Sequence, residues 1–411
     1  MKCRLSGEEL REVMDFGELY ISDFLETRDL SAPKARLRLG LGKTLQLMDT
    51  VDPAKLYNKY WYRSGTNQTM RRQLKDIVDD VGDWVRLELG DIALDIGCND
   101  GTLLSYYPKD ALIVGIDPAE NMEKEAYNIC DLHSKSLFTK DVFLSLTGGQ
   151  KAKVITSIAM FYDLDDPNSF VEDIRECLSD DGIWVIQLSY TPLMIAQNAF
   201  DNICHEHIEY YTLASIEYLL KQHGLKILDA KLNDTNSGSI RLVVAKSDCK
   251  LRTPIFMQNI GEFRKESLSL YESYMNMDNP NTYTDFKGRI DSLRGQTIDL
   301  LTKIKHDGGR IIGYGASTKG NTLLQYYNIT SYLMDAIAER QPQKVGLLTV
   351  GSWIPIISEE EMRKRKPDYL FVLPWHFINE FVDREKDFLK GGGKIIVPLP
   401  DLKVISYPGM E

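Results

Sequence analysis

The chain has 411 residues and a formal net charge of -11, and 43% of its residues are hydrophobic, which predicts a folded protein of two or three domains. The acidic balance argues against a nucleic-acid-binding protein, and no apolar run approaches the roughly 18 residues that a membrane span requires. Because the six cysteines are scattered and no signal-peptide core opens the chain, we expect a cytoplasmic protein without disulfide bonds.

The hydrophobic pattern predicts that regular α/β structure begins near residue 71. Residues 1–70 show little clear periodicity, whereas apolar residues at helical spacing follow from Met70 onwards. Short apolar runs predict buried strands, and helical stretches separate them; these runs are 92–96, 111–117, 153–158 and 182–187. This alternation is typical of a parallel sheet with crossover helices.

A second α/β unit is predicted after a helical bridge. Residues 249–305 are polar and helical in pattern, so we expect them to form that bridge. Strands are predicted at 309–315, 369–374 and 394–398, with a helix over 377–389 between the last two. The predicted domains are therefore 1–70, 71–248, 249–305 and 306–411.

A turn with two glycines follows the first of these strands and runs from Asp95 to Gly101. Glycines let the backbone pass close to a ligand, and parallel sheets bind nucleotides at such turns. Asp117 ends the next strand, where a carboxylate can accept both hydroxyls of a ribose. The pattern D-x-G-x-x-x-G is not the G-x-G-x-x-G of dinucleotide sites, so it favours S-adenosylmethionine. A purely structural glycine turn is the alternative.

Two of the six histidines, His205 and His207, flank Glu206 in the segment 200–211. In an extended segment this spacing places both histidines on one face, with Glu206 opposite. A metal site is one interpretation, but zinc helices carry histidines four residues apart and no cysteine pair completes a shell. Histidine has the side-chain pKa nearest neutrality, so a general base is favoured over a locally satisfied histidine pair. Cys204 is a weaker candidate nucleophile, because an acidic neighbourhood raises the pKa of a thiol.

A second glycine turn, from Gly313 to Asn321, follows the first predicted strand of the C-terminal unit. Its Gly, Ser and Thr residues offer backbone amides, and Lys319 adds a positive charge within reach of a phosphate. The order G-x-x-x-x-G-K-[ST] is absent, so we expect a diphosphate that is bound and not cleaved. Glu339 follows the next predicted strand, 335–338, and is a candidate to hold a ribose or a base. A purely structural turn is again the alternative.

Several motifs together carry a family resemblance that spans nearly the whole chain. They are 60–64, 69–70, 95–101, 204–207, 210–211, 236–241, 313–321, 354–356 and 366–375. With these motifs the chain resembles the three-domain sugar C-methyltransferases, which act on nucleotide-linked 4-keto deoxysugars. The His-Glu-His segment and the second glycine turn are specific to this family when they occur in one chain, whereas neither is specific alone.

The resemblance implies an α/β fold with a small N-terminal domain of zinc-binding type, a central class I methyltransferase Rossmann-like domain and a C-terminal Rossmann-like domain that binds the sugar nucleotide. It implies that His207 removes a proton beside the ketone, with Glu206, Tyr62 and His205 shaping the site. The resulting enolate carbon attacks the sulfonium methyl group of S-adenosylmethionine, and burial keeps solvent from protonating that carbon. We therefore expect methylation at C-3 of a nucleotide-linked 4-keto-6-deoxyhexose.

The other predicted site residues fall into two groups, and the site is expected between the two α/β domains. The cofactor residues are Asp95, Gly97, Asn99, Asp100, Gly101, Asp117, Pro118 and Ser64. The substrate residues are Tyr314, Ala316, Lys319, Asn321, Glu339 and Arg241. No metal ligand is assigned, and no oligomeric state is predicted.

Three departures from the family pattern change what we expect. Relatives bind zinc through two Cys-x-x-Cys pairs, but here a serine stands three residues after Cys3 and 39–42 contains no cysteine. One thiolate cannot hold a structural zinc, so we expect no zinc. Cys204 stands where many relatives carry a tyrosine. After the third strand relatives often show an Asn and a His, so Tyr162 or Asp163 is a candidate to assist here.

Three other functions stay open from the sequence. An O- or N-methyltransferase acting on the same class of sugar needs no enolate. A non-catalytic nucleotide-sugar-binding protein is disfavoured because His207 is retained. An NAD-dependent sugar oxidoreductase is disfavoured because neither glycine turn matches G-x-G-x-x-G.

Overall fold

Three main β-sheets organise the part of the chain that the computed structural model describes, namely residues 1–52, 56, 61, 63–251 and 253–407. We call them the N-terminal, central and C-terminal sheets. Within those described residues, none of the helices combines the length and the apolar character that a membrane crossing needs.

The N-terminal sheet is antiparallel and forms where the sequence suggested little regular structure. The strands of this region are β1 (Arg11–Tyr20), β2 (Phe24–Leu25), β3 (Lys34–Leu41) and β4 (Leu45–Leu47). β1 pairs with β3 and β3 with β4, while β2 lies outside this sheet. In β3 the side chains alternate between buried leucine and exposed or half-buried arginine. This alternation is the period-two signal of a half-buried strand.

Cys3 lies against the β3–β4 turn of this region. A Cβ atom added to Gly42 would come within 2.8 Å of the Cys3 Cβ, so the turn approaches the cysteine closely. Gln46 Nε2 donates a hydrogen bond to Cys3 Sγ at 3.2 Å. Among the described residues, no group of three His, Cys, Asp or Glu side chains is arranged to hold a metal ion.

The central sheet follows one long helix. In chain order the elements are α1 (Gln68–Trp84), β5 (Ile92–Ile96), β6 (Leu112–Ile116), α2 (Glu123–Tyr127), β7 (Leu132–Ser134), α3 (Lys140–Leu146), β8 (Ala152–Ile158), α4 (Pro167–Cys177), β9 (Leu178–Ser189), α5 (Thr191–Ala196), β10 (Glu209–Tyr210), α6 (Leu213–Gln222), β11 (Leu225–Asn233) and β12 (Ser239–Lys246). β10 leaves the central sheet and pairs with β4, so it joins the N-terminal sheet.

The order of the central sheet is β11-β12-β9-β8-β5-β6-β7. The strands from β9 to β7 are parallel. β12 pairs antiparallel with β9 and with β11, so β12 runs against the other strands of this sheet. The four strands predicted from apolar runs are confirmed as β5, β6, β8 and β9. The chain leaves β5 for β6 on one side and β8 lies on the other, so the topological switch point is at the carboxyl ends of β5 and β8.

Two helices form the bridge to the C-terminal sheet, α7 (Ile255–Tyr274) and α8 (Pro280–His306). α8 buries a stripe at helical spacing that includes Phe286, Ile290, Leu293 and Leu301. α7 packs closely on β11, because a Cβ atom at Gly261 would come within 2.1 Å of the Leu228 carbonyl oxygen.

The C-terminal sheet repeats the parallel α/β pattern. Its elements are β13 (Ile311–Tyr314), α9 (Thr318–Tyr327), β14 (Ala336–Glu339), β15 (Leu348–Thr349), β16 (Ile356–Ser358), α10 (Glu359–Arg365), β17 (Tyr369–Val372), α11 (Ile378–Arg384), α12 (Lys386–Lys390), β18 (Lys394–Val397) and β19 (Lys403–Ile405). The order is β16-β14-β13-β17-β18-β19, and β15 pairs separately with β2. The single helix predicted over 377–389 is instead two helices, α11 and α12, separated at Glu385.

Candidate active site

The glycine turn after β5 lies beside the end of β6 at the carboxyl edge of the central sheet. Gly97 and Gly101 have φ angles of +72° and +76°, a left-handed conformation that favours glycine. The backbone N–H of Asn99 donates to Asp117 Oδ2 at 2.8 Å, and that of Ala119 donates to Asp117 Oδ1 at 2.8 Å. Asp117 therefore fixes the shape of the turn, and each of its oxygens keeps acceptor capacity for a ligand hydroxyl.

The other two carboxylates of the turn are engaged within the protein. Asp95 is buried and accepts a hydrogen bond from Thr156 Oγ1 at 2.5 Å, and burial raises the pKa of Asp95 to about 7. Asp100 Oδ1 accepts from Thr102 Oγ1 at 2.7 Å. Both side chains hold the turn in shape from within, and their contact with a cofactor stays a prediction.

A short 3₁₀ segment, Ser64–Thr66, covers this turn. Ser64 N–H donates to Asn99 Oδ1 at 3.0 Å, and Gly65 N–H donates to Asp100 Oδ2 at 2.8 Å. The predicted cofactor residues are thus brought together at one edge of the sheet, with Pro118 next to Asp117 in the chain. The segment that covers them leads directly into α1.

A small cavity lies at the carboxyl ends of β8 and β9. β8 is the neighbour of β5 in the sheet, so the cavity is on the other side of the topological switch point from β6. Its lining residues are Tyr162, Ser189, Thr191, Met194, Asn202, His207, Glu209 and Tyr210. The ring of Tyr162 packs against the imidazole of His207 with 4.4 Å between centroids. The cavity brings His207 to the edge of the central sheet at which β5 also ends.

His207 has the tautomer that a general base requires. Its Nδ1 lies 2.7 Å from the carbonyl oxygen of Asn202, and a carbonyl only accepts, so Nδ1 carries the proton and donates it. Nε2 is therefore the basic nitrogen. Burial, followed by the positive charge of Lys319, lowers the pKa of His207 to about 3, which keeps the imidazole neutral near pH 7.

Lys319 reaches the same segment from the C-terminal part of the chain. Ser317 caps α9 by accepting from Gly320 N–H at 2.9 Å, which places Lys319 in the first turn of the helix. Lys319 Nζ donates to Asn202 Oδ1 at 2.5 Å. The residue predicted to contact a phosphate thus contacts the asparagine whose carbonyl holds His207.

The two histidines of the His-Glu-His segment point in different directions. His205 is buried, and its Nε2 donates to the carbonyl oxygen of Ala35 in β3 at 3.0 Å. The expectation of an extended segment with both histidines on one face is wrong, because the chain bends at 204–206. Burial raises the pKa of Glu206, and burial also raises that of Cys204, which disfavours a thiolate. Tyr62, the other predicted catalytic residue, lies outside the described residues.

In the C-terminal sheet, Glu339 accepts a backbone hydrogen bond from the glycine turn, as Asp117 does in the central sheet. Glu339 Oε2 accepts from Ala316 N–H at 2.8 Å, and Oε1 accepts from Gln341 N–H at 2.9 Å. Both predicted substrate residues, Ala316 and Glu339, therefore lie at the carboxyl edge of this sheet. The two turns have the same design, a backbone N–H held by the acidic residue that ends the neighbouring strand.

Three predicted substrate residues are placed elsewhere by the structure. The Tyr314 hydroxyl donates to Glu385 at 2.6 Å inside the C-terminal core, because its side chain faces away from the turn. Asn321 Nδ2 donates to the carbonyl oxygen of Asp23 at 3.0 Å, so it fastens the N-terminal segment.

Arg241 is the third. Its guanidinium pairs with Asp76 at 2.9 Å and with Asp80 at 3.2 Å, both on α1. This buried arginine joins β12 to α1, and its part in substrate binding stays a prediction.

Several residues that line the cavity were not predicted from the sequence. Ser189 ends β9 and Thr191 begins α5 two residues later, and this place at the carboxyl end of a parallel strand is a signal that could have found them. Asn202 acts through its backbone carbonyl, and no residue pattern signals such a role.

Comparisons with known proteins identify the class of enzyme. Residues 66–230 match a family model described as a methyltransferase domain, and residues 234–400 match one described as a C-methyltransferase C-terminal domain. The C-methyltransferase NovU of Streptomyces niveus is 28% identical over 366 residues, which cover 88% of this chain and 85% of that protein. This chain is an S-adenosylmethionine-dependent C-methyltransferase.

Solved methyltransferase structures are similar to part of this C-methyltransferase. An S-adenosylmethionine-dependent methyltransferase from Clostridium acetobutylicum is 15% identical, with a TM-score of 0.34 over 43% of this chain and 92% of that one. Magnesium protoporphyrin IX methyltransferase (ChlM) from Synechocystis, with bound SAH, is 14% identical, with a TM-score of 0.34 over 46% of this chain and 91% of that one.

The turn after β5 of this C-methyltransferase fits the cofactor on its own geometry. Glycines at 97 and 101 leave the backbone open to a close ligand, and the Asp117 carboxylate ends the neighbouring strand with spare acceptor capacity. These residues would hold the cofactor beside the cavity that contains His207.

Proposed function

We propose that this C-methyltransferase adds a methyl group to C-3 of a nucleotide-linked 4-keto-6-deoxyhexose, with His207 as the general base. The observation that carries the proposal is the neutral imidazole of His207, which lines the cavity and donates through Nδ1 to the Asn202 carbonyl. This arrangement supports proton abstraction from the carbon beside a ketone, because the unprotonated Nε2 of a neutral imidazole can accept that proton.

The chemistry follows from acidity and charge. A hydrogen on the carbon beside a ketone is acidic enough for His207 Nε2 to remove, and the Nδ1–H bond to Asn202 then stabilises the imidazolium. S-adenosylmethionine, when bound by the turn and Asp117, supplies an electrophilic methyl group beside the cavity. Tyr162 packs on the imidazole, and the closed surroundings keep water from the enolate carbon.

The C-terminal sheet supports the nucleotide part of the proposed substrate. Its turn leads into the N-terminus of α9, whose first backbone amides lie at the carboxyl edge of a parallel sheet, where anionic nucleotides bind. Lys319 lies between this turn and His207, so a positive charge borders both regions. A sugar linked to a nucleoside diphosphate has the length and the charge to span them.

The test is a deuterium exchange and methylation assay with the full chain. The protein is incubated in deuterium oxide with a dTDP- or GDP-linked 4-keto-6-deoxyhexose, with and without S-adenosylmethionine. We expect deuterium exchange at C-3 without the cofactor and one added carbon-bound methyl group with it. His207→Gln should lower both rates by about 10²–10⁴-fold, the usual contribution of a general base. The matched control is His306→Gln, since His306 is exposed on α8.

Two outcomes would favour the rival functions. Methylation on oxygen or nitrogen without deuterium uptake would identify an O- or N-methyltransferase. Binding of the sugar nucleotide without exchange or methylation would identify a binding protein, and calorimetry with S-adenosylmethionine would then show no heat of binding.

A further inference from the structure

Helix α7 carries an exposed apolar stripe on the face that points away from the protein. Its six positions are Phe256, Ile260, Phe263, Ser267, Leu270 and Tyr274, which we call the outer stripe. The five large side chains are exposed by 64%, 43%, 69%, 72% and 82% in chain order. The expectation of a polar bridge is therefore wrong for this face of the helix.

The opposite face of α7 packs against the protein, so the helix cannot rotate about its axis to bury the outer stripe. Gly261, Leu268 and Glu272 are buried there, and Gly261 lies directly against the Leu228 carbonyl of β11. Glu272 accepts from the Tyr190 hydroxyl at 2.7 Å, which fixes the rotation of the helix. The outer stripe is thus held towards solvent by the packing of the rest of the helix.

The exposed apolar area of the outer stripe is comparable to the apolar area that each partner buries in a stable protein–protein interface. Large side chains bury about 150–250 Å² each, so five that are about two-thirds exposed present on the order of 600 Å². The largest patch on a typical monomer is about 300–600 Å², and a standard interface buries about 800 Å² per partner, roughly 60% of it apolar. The outer stripe supplies that apolar area by itself.

The intervals between successive residues of the outer stripe are the same whether the helix is read from its N-terminus or from its C-terminus. From residue 256 to residue 274 the steps are four, three, four, three and four residues, the repeat of helices that pack at a shallow angle. An antiparallel copy with its two-fold axis at residue 265 places Phe256 against Tyr274 and Ile260 against Leu270. Phe263 then faces Ser267, a bulky side chain against a small one, so each layer is filled.

The charges beside the stripe favour a second copy over a membrane surface. Glu262 and Glu266 are exposed next to it. The two cations on the same turns are paired with carboxylates, Lys265 with Glu262 and Arg264 with Asp229, and the chain as a whole has a net charge of -11. Helices that lie on membranes carry Lys and Arg on their polar face and meet anionic lipid. We propose that the outer stripe is the interface of a homodimer, in which α7 packs antiparallel on α7 of a second copy of this chain. This interface is independent of the proposed substrate.

The test measures the mass of the full chain in solution across a wide concentration range by light scattering and sedimentation equilibrium. We expect a species of twice the 46.9 kDa chain mass. The double variant Phe263→Glu/Leu270→Glu should be monomeric with an unchanged far-UV circular dichroism spectrum. Leu89→Glu is the matched control, because Leu89 is 88% exposed outside the stripe, and it should remain dimeric. A monomeric wild type, or a dimer that survives the double variant, would overturn the proposal.

The register has its own test. Ile260→Cys and Leu270→Cys are prepared as separate variants, oxidised alone and then as a mixture. Antiparallel pairing predicts that the disulfide between chains forms in the mixture and links position 260 to position 270 in peptide mapping. A disulfide that forms as efficiently in each variant alone would show a parallel pair and refute the antiparallel dimer.

Discussion

Lys319 is a positioning residue for the general base. It donates to the Asn202 side chain, and the Asn202 carbonyl accepts the Nδ1 proton of His207, so one asparagine joins the C-terminal part of the chain to the imidazole. After burial, the charge of Lys319 is the next cause that lowers the pKa of His207. The Tyr162 ring and the Asn202 carbonyl contact the imidazole, and Glu209 and Tyr210 line the same cavity; none of these groups is a cation.

This contact predicts a shift in the pH profile. A lowered pKa means that His207 stays unprotonated, and therefore active as a base, until the pH falls far below the ordinary histidine value of about 6.5. Lys319→Met removes one of the two causes, so the pKa should rise by about one unit and the acid limb of kcat/KM should move to higher pH. Lys319→Arg keeps the charge and should leave the acid limb where it is in the wild type.

The measurement is the rate of substrate deuterium exchange as a function of pH for the three proteins. A merely structural loss would lower the rate at every pH without moving the limb. If the acid limb of the pH–rate profile of Lys319→Met lies at the same pH as in the wild type, and circular dichroism shows an intact fold, the role assigned to the Lys319 charge is contradicted.

Residue type and spacing predicted where some of the candidate site residues lie and not where others lie. Asp117 was accessible from the sequence, because the end of a strand after a glycine turn has a fixed place in a parallel sheet. Arg241 and Asn321 were not, since a side chain on a strand or helix turns to whichever partner the packing offers. Arg241 finds two carboxylates on α1, and Asn321 finds the carbonyl of Asp23.

At the scale of the elements, helix α7 packs against the central sheet through one glycine, Gly261. A Cβ atom at Gly261 would lie 2.1 Å from the Leu228 carbonyl oxygen, which is backbone and cannot move away cheaply. In an open helix position, replacing glycine by alanine stabilises by up to about 1 kcal/mol. Gly288 in α8 is such a position, because nothing lies within 4 Å of an added Cβ.

The two glycines therefore predict opposite effects of the same substitution. Gly288→Ala should raise the free energy of unfolding by up to about 1 kcal/mol, and Gly261→Ala should lower it by about 1–3 kcal/mol as the helix is forced off β11. Urea titrations followed by fluorescence measure both. An equal gain in stability for the two variants would show that α7 does not press on β11 as the structure has it.

The elements that were predicted and those that were missed differ in their burial. The parallel strands β5 and β8 are mostly apolar and are buried on both faces over most of their length, so they stand out in the sequence. β1 and β3 have one solvated face and a mixed pattern, and residues 1–70 consequently showed little periodicity. β10 has two residues and exists because β4 pairs with it, which no local pattern encodes.

At the scale of the whole molecule, Phe200 joins three parts of the chain next to the base. Its ring lies 6.2 Å from that of Phe16 in β1 and 5.2 Å from that of Tyr327 in α9, while Phe200 itself precedes the Asn202 carbonyl. These rings belong to one buried cluster that runs from the N-terminal sheet to the C-terminal core. The position of His207 thus depends on packing between regions distant in sequence.

We expect this shared core to make the chain unfold in one cooperative transition. Phe200→Ala should split that transition into two. Loss of a buried phenylalanine costs about 3–5 kcal/mol, and here the loss falls on the contact between regions, so calorimetry should show two separate transitions. Phe143→Ala is the matched control: Phe143 is equally buried, but it packs in a cluster with no part in the C-terminal sheet. Its single transition should move to lower temperature without dividing. A wild type that already unfolds in two steps would contradict the shared core, and His207 would then have to be held by the central sheet alone.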